Sequence, residues 1–261
     1  MVTTRGVPVA TTTARTAPTP SFLLLHGAAT TGAIWAGVRR ELGERPTLAP
    51  DRPSTGDLDL ELAALADAVE AAATRWATPL PPRPGPAAAP SARPRDAPAD
   101  GTRRPVVFGG VSGGATLGLA ALAAGVPLAA TVLHEPAVGS LLPGLLAPMA
   151  AAYASGGVAG FGGALYGPSW RPAVAPADPG AVARDLAMFL RFEPAAPKAT
   201  PGPVLVTVGE RSPEVRHRAA AALHRELGVR IRVLPGCGHA VHLEAPEQFA
   251  RVLTEVAAAL G

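Results

Sequence analysis

Five short apolar runs punctuate this chain: Ser21–Leu25, Pro105–Gly109, Ala129–Leu133, Pro203–Gly209 and Val229–Leu234. Each is too short for a helix, and all but Val229–Leu234, where Arg230 and Arg232 alternate with apolar residues, lack the apolar–polar alternation of a half-exposed strand. Such runs suit strands covered on both faces. Helix-period stretches separate them. Ala33–Leu42 brings Ile34, Val38 and Leu42 to one face, and Leu58, Leu62, Leu65, Val69 and Trp76 form a second stripe behind Asp57, a residue suited to an N-cap. Further helices are predicted over Ala115–Ala124, over 214–227 with Val215, Ala219, Leu223 and Leu227 in step, and from Pro246 onward with Phe249, Val252, Leu253, Val256 and Leu260 buried. Thr47–Pro50 reads as a weaker strand, and residues 1–20 as an edge strand or hairpin. Strand and helix alternate, which is the pattern of an α/β protein with a mostly parallel sheet flanked by helices.

Two segments break the alternation. Residues 79–105 hold nine of the chain's 30 prolines and read as a surface insertion. Residues 137–200 mix helical stretches (Leu141–Tyr153, Val182–Phe192) with Gly- and Pro-rich breaks and carry Tyr153, Phe161, Tyr166, Trp170, Phe189 and Phe192. This composition predicts a helical lid with an apolar underside. The organisation expected is therefore a core in two parts, 1–136 and 201–261, with a cap at 137–200.

Length and composition allow one sizeable domain of this kind: 261 residues, 48% hydrophobic and 16% charged. The net charge is +3, but no basic run is interleaved with aromatics, which argues against a nucleic-acid partner. Cys237 is the single cysteine, so no intrachain disulfide forms, and it suits a small buried position. No long apolar span is free of Gly and Pro, which argues against a membrane-spanning or secreted protein and for a cytoplasmic one.

The chemistry concentrates where strands end. Gly110-Val111-Ser112-Gly113-Gly114 spells G-x-S-x-G between a strand and a small-residue helix, the setting of a strained turn that lifts a serine hydroxyl clear of the sheet. His26-Gly27-Ala28-Ala29 follows the first strand, and Gly236-Cys237-Gly238-His239 follows the last, with His242 close by. His26 and Asp51 are expected to brace loops by hydrogen bonding.

Together these segments resemble the α/β-hydrolase superfamily, in its branch with a helical cap. The resemblance implies a serine hydrolase that needs neither metal nor cofactor and cleaves an ester or related acyl bond of a small, largely apolar substrate through an acyl-enzyme. Ser112 would be the nucleophile and His239 the general base, with His242 a weaker alternative. Gly113 and Ala28 would supply the oxyanion-hole amides. The acid departs from the family pattern, because the position expected to hold aspartate is Ser212. Glu135, at the tip of the strand beside the serine, is the preferred substitute, with Glu210 the alternative and Glu214 a remoter one. The missing aspartate also keeps other readings open: a lyase, C–C bond hydrolase or cyclase of the same fold, or a ligand-binding protein on its scaffold.

Overall fold

The computed structural model describes residues 19–76, 103–198 and 202–260. The hairpin expected within 1–20 and nearly all of the insertion expected at 79–105 lie outside these residues.

Six strands form one sheet: β1 (Ser21–Leu25), β2 (Thr47–Leu48), β3 (Val106–Val111), β4 (Ala130–His134), β5 (Val204–Gly209) and β6 (Arg230–Leu234). Their order is β2-β1-β3-β4-β5-β6, and every neighbouring pair is parallel. All residues of β1, β3 and β4 are buried, as their unbroken apolar runs require. Successive side chains of a strand point to opposite faces. Leu23 and Leu25 accordingly join one core with Phe108 and Leu117, while Phe22 and Leu24 join a second with Trp35 and Phe249. Each such side chain contributes about 1.5–3 kcal/mol by leaving water.

Helices α1 (Ala36–Leu42), α2 (Leu58–Thr74), α3 (Gly113–Ala124), α6 (Glu214–Leu227), the short α7 (Val241–Glu244) and α8 (Pro246–Ala258) belong to this frame. Asp57 caps α2, its Oδ1 accepting from the Asp59 and Leu60 amides. Trp76 was expected on the apolar stripe of α2, but the helix ends at Thr74 and the indole packs beside the Arg75 guanidinium instead. Between β4 and β5 the described residues form helices only, chiefly α4 (Ala147–Tyr166) and α5 (Ala181–Leu190). The first of these runs well past the expected Tyr153, because Gly157 (φ +56°, ψ −143°) absorbs a kink that lets a second helical stretch follow. Strand order reverses between β1 and β3, and ligands of open α/β sheets bind at the carboxyl ends of strands beside such a reversal.

The helical segment is fastened to loops at that same edge. Tyr166 and Trp170 donate to the Ala28 and Ala29 carbonyls at 3.0 and 2.9 Å, and Arg184 Nε donates to Ser54 O at 2.9 Å. Beneath them the buried Arg52 guanidinium binds both Asp185 of α5 and Glu61 of α2. Removing the one cation would strand two carboxylates in the interior. Arg52→Met is therefore expected to lower stability by about 3–5 kcal/mol. Adding Asp185→Leu should recover part of the loss, because one of the two uncompensated charges goes with it. Urea unfolding of the two variants measures this, and a double variant less stable than Arg52→Met would contradict it.

Candidate active site

Ser112 stands between β3 and α3 with φ +56° and ψ −120°, a strained position for a residue with a side chain. The flanking glycines make the turn possible. A Cβ on Gly110 would sit 2.7 Å from the backbone of Gly114 and Ala115, and one on Gly114 would strike the Leu25 carbonyl. Ser112 N donates to His134 O at 2.9 Å, which ties the turn to β4. The serine side chain does not cap α3, so its hydroxyl is left for other partners.

His239, on the loop after β6, meets Glu135, the residue after β4. Its Nδ1 lies 2.7 Å from Glu135 Oε2. A carboxylate accepts, so Nδ1 carries the proton and Nε2 presents a lone pair. That Nε2 is buried and has no partner among the described residues. Glu135 Oε1 accepts from Gly209 N at 3.0 Å and from the Ser212 hydroxyl. Burial pushes the Glu135 carboxyl up, but the His239 bond and the nearby His134, His239 and Arg216 outweigh it and hold the group well below the usual carboxylate range. Burial lowers the His239 pKa and Arg216 lowers it further, against the pull of Glu135. Glu135 itself has φ +50°, a second strained residue at this edge.

The other candidates point elsewhere. Glu210, the alternative acid, turns Oε2 to the Gly236 amide at 2.8 Å, and Glu214 opens α6 without a bond to His239. The imidazole's carboxylate partner is Glu135, delivered by β4. His242 is buried against Trp35 and Tyr166 with no partner at either nitrogen among the described residues, and burial holds its pKa far below the usual value. His26 and Asp51 brace loops: Arg52 N donates to His26 Nε2 at 2.9 Å, and Gly32 N to Asp51 at 2.6 Å.

No hydrogen bond joins Ser112 to His239. The Tyr166 hydroxyl lies close to the Ser112 and Thr30 side chains, and burial pushes its pKa up to about 12. Tyr166 reaches this point because α4 ends over the β1 loop, where its hydroxyl binds the Ala28 carbonyl.

The Ala28 amide has no partner among the described residues, and its direction is set from behind. The Gly27 carbonyl accepts from His26 Nδ1 and from Thr30 Oγ1, both at 2.9 Å. A trans peptide is planar, so holding that oxygen aims the Ala28 N–H the opposite way. Gly113 N lies at the first turn of α3, and a Cβ on Gly113 would be 3.4 Å from Ala28 N, so the two backbones nearly touch. Ala28, Ser112 and Gly113 all line a cavity walled by apolar side chains of α4 and α5 and by Glu135 and Arg216. Its volume is ≈ 20 Å³, room for about one water, so a substrate must displace the helical wall.

Three residues here escaped the sequence reading. His134 donates through Nε2 to Gly238 O (3.2 Å) and accepts from Thr207 Oγ1 (3.0 Å), which steadies the loop carrying His239. Tyr166 was read only as a lid aromatic. Arg216 lies on the buried stripe of α6 with Ala219, Ala220 and Leu223. An arginine at that spacing was the available signal.

The buried histidines make stability pH-dependent. Burial, with Arg52 for His26, lowers its pKa to about 3, and burial lowers that of His134 to about 4 against Glu135. A pKa below the unfolded value of 6.5 means that the unfolded chain binds more protons as pH falls. The stabilisation is whole above pH 6.5 and drains away toward pH 4. Each histidine is expected to give a slope of about 1.4 kcal/mol per pH unit in that window. Urea midpoints that stay level from pH 6.5 to 4.5 would contradict this.

The doubly wound parallel sheet with a strained G-x-S-x-G turn at its carboxyl edge has the architecture of the α/β-hydrolase fold. The chain belongs to the alpha/beta hydrolase family, whose model matches residues 22–252. No curated protein matches the sequence. Among solved structures, a lipase-esterase related protein from Clostridium acetobutylicum superposes with a TM-score of 0.64 at 12% identity, covering 92% of this chain and 95% of that one. NosK from Streptomyces actuosus gives 0.58 at 22%, covering 91% and 97%. The naproxen esterase of Bacillus subtilis gives 0.55 at 16%, covering 90% and 82%. At these identities the likeness is one of fold.

Proposed function

We propose that this protein is a serine hydrolase that cleaves an ester or related acyl bond of a small, largely apolar substrate through an acyl-enzyme. The observation that carries this reading is the Glu135–His239 pair, with Nε2 unprotonated and without a partner among the described residues, at the edge where Ala28, Ser112 and Gly113 line one cavity. Ser112 turns to His239 Nε2 by a change of rotamer and attacks the carbonyl carbon. The imidazole takes the hydroxyl proton, Glu135 balances the imidazolium, and the Gly113 and Ala28 amides receive the developing oxyanion. The imidazolium protonates the leaving group. Water, activated by the same imidazole, then releases the acid and restores the serine. Residues 137–200 are the cap, the two core parts being 1–136 and 201–261, and the working partner is a small molecule.

An organophosphonate probe tests this. Stoichiometric labelling that maps to Ser112 is expected. An unlabelled protein after prolonged exposure would count against it. The closeness of the Tyr166 hydroxyl to Ser112 favours one rival, a non-hydrolytic enzyme of the same fold. That rival predicts no turnover of simple esters even by protein that the probe labels.

A further inference from the structure

The cavity beside Ser112 contains one cation. Arg216 projects into it from α6 with its side chain 9% exposed. Its one polar contact among the described residues is an ion pair at 3.7 Å, from Nε to Glu135 Oε2. That is beyond hydrogen-bond distance, and neither terminal amino group of the guanidinium makes a hydrogen bond to the described residues. The opposite wall is Leu146, Met149, Phe161, Leu165, Leu186 and Phe189. A guanidinium carries five N–H donors, and leaving them unmet among apolar groups is costly.

Glu135 does not meet that need. Its Oε1 is taken by Gly209 N and Ser212 Oγ, and its Oε2 by His239. Nor does Arg216 serve the general base, since it opposes protonation of His239. Once His239 becomes the imidazolium, Glu135 faces two cations, and the cluster has an excess positive charge that an anion would balance.

We propose that Arg216 is a specificity-determining residue that binds a carboxylate on the substrate's acyl chain, so that the preferred substrates are half-esters or thioesters of dicarboxylic acids. This rests on the serine-hydrolase reading of Ser112. A planar carboxylate matches the fork of the guanidinium and can accept from both amino groups at once. The apolar wall then holds the methylenes between the carboxylate and the reacting carbonyl.

The test compares p-nitrophenyl half-esters of dicarboxylic acids, succinate to suberate, with neutral p-nitrophenyl esters of equal carbon number. At the best chain length, kcat/KM is expected to favour the half-ester by about 10- to 100-fold, the worth of a hydrogen-bonded buried charge. Arg216→Gln should erase that preference while acting on KM more than kcat, and Arg216→Lys should keep part of it. A residue that only balances Glu135 would change both ester series alike. Neutral esters preferred at every length by wild-type protein would overturn the assignment.

Binding separates this outcome from failure of the hydrolase reading. On Ser112→Ala protein, calorimetry with monomethyl adipate and methyl hexanoate reads recognition without turnover. Tighter binding of the half-ester that Arg216→Gln removes supports the Arg216 assignment even if no ester is cleaved. Equal binding of the two overturns it.

Discussion

Alanine at Ser112 is expected to lower kcat for ester hydrolysis by about 10⁶-fold, and alanine at His239 by a similar factor. The double variant should be no slower than either. In the proposed mechanism the hydroxyl and the imidazole act as one unit, so losing either is expected to remove nucleophilic attack altogether. What is expected to survive is catalysis by the proposed oxyanion-hole amides of Gly113 and Ala28, about 10³–10⁴ over water. Loss of folding does not account for such an effect. Ser112 O accepts within the turn and Ser112 N donates to His134, and both bonds belong to the backbone. The side chain caps nothing, and an alanine Cβ occupies space that the serine Cβ already fills. Thermal melts should therefore coincide while single-turnover rates separate by orders of magnitude. A Ser112→Ala enzyme with a tenth of wild-type activity would remove the serine from the chemistry.

The sheet was readable because its signal is local. An unbroken apolar run such as Phe22–Leu25 has few uses other than a strand with both faces covered, and the structure gives the strands that place. The elbow was readable for a similar reason, since Gly110 and Gly114 mark where backbones must approach closely. Harder to see was everything set by distant contacts. Ser212 was noticed as a missing aspartate, yet its role as a donor to Glu135 depends on β4 and β5 lying side by side. Tyr166 reads as one more apolar aromatic until α4 is seen to end over the Ala28 carbonyl. The charge triad of Arg52, Glu61 and Asp185 spans 133 residues of sequence, and no window of the chain contains it. Arg216 was missed although its signal is local: it sits in register with buried alanines on one helix, a mismatch of charge with an apolar stripe that needs no distant partner.

Glu135→Gln is expected to lower kcat by about 10⁴-fold with little change in KM, the loss seen when a triad acid becomes its amide. The amide keeps the shape of the side chain and tolerates the same backbone, but it offers N–H where the carboxylate offered only acceptors. His239 can then accept at Nδ1, which moves its proton to Nε2, the atom that must receive the serine's proton. The lost charge compounds this, because nothing then balances an imidazolium beside Arg216. The acid can also be moved back to the position the family pattern favours. Ser212 Oγ already touches Glu135 Oε1, so a carboxylate at 212 starts one side chain away from the imidazole. Glu135→Ala with Ser212→Asp is expected to regain at least about tenfold over Glu135→Ala alone, because a carboxylate again fixes the tautomer. Ser212→Asp in otherwise wild-type protein should instead be harmful. It replaces a donor to Glu135 with a second buried carboxylate, and like charges at that distance force one of them to take a proton. A Glu135→Gln enzyme within tenfold of wild type would mean that His239 is oriented by some group other than the carboxylate now 2.7 Å from its Nδ1.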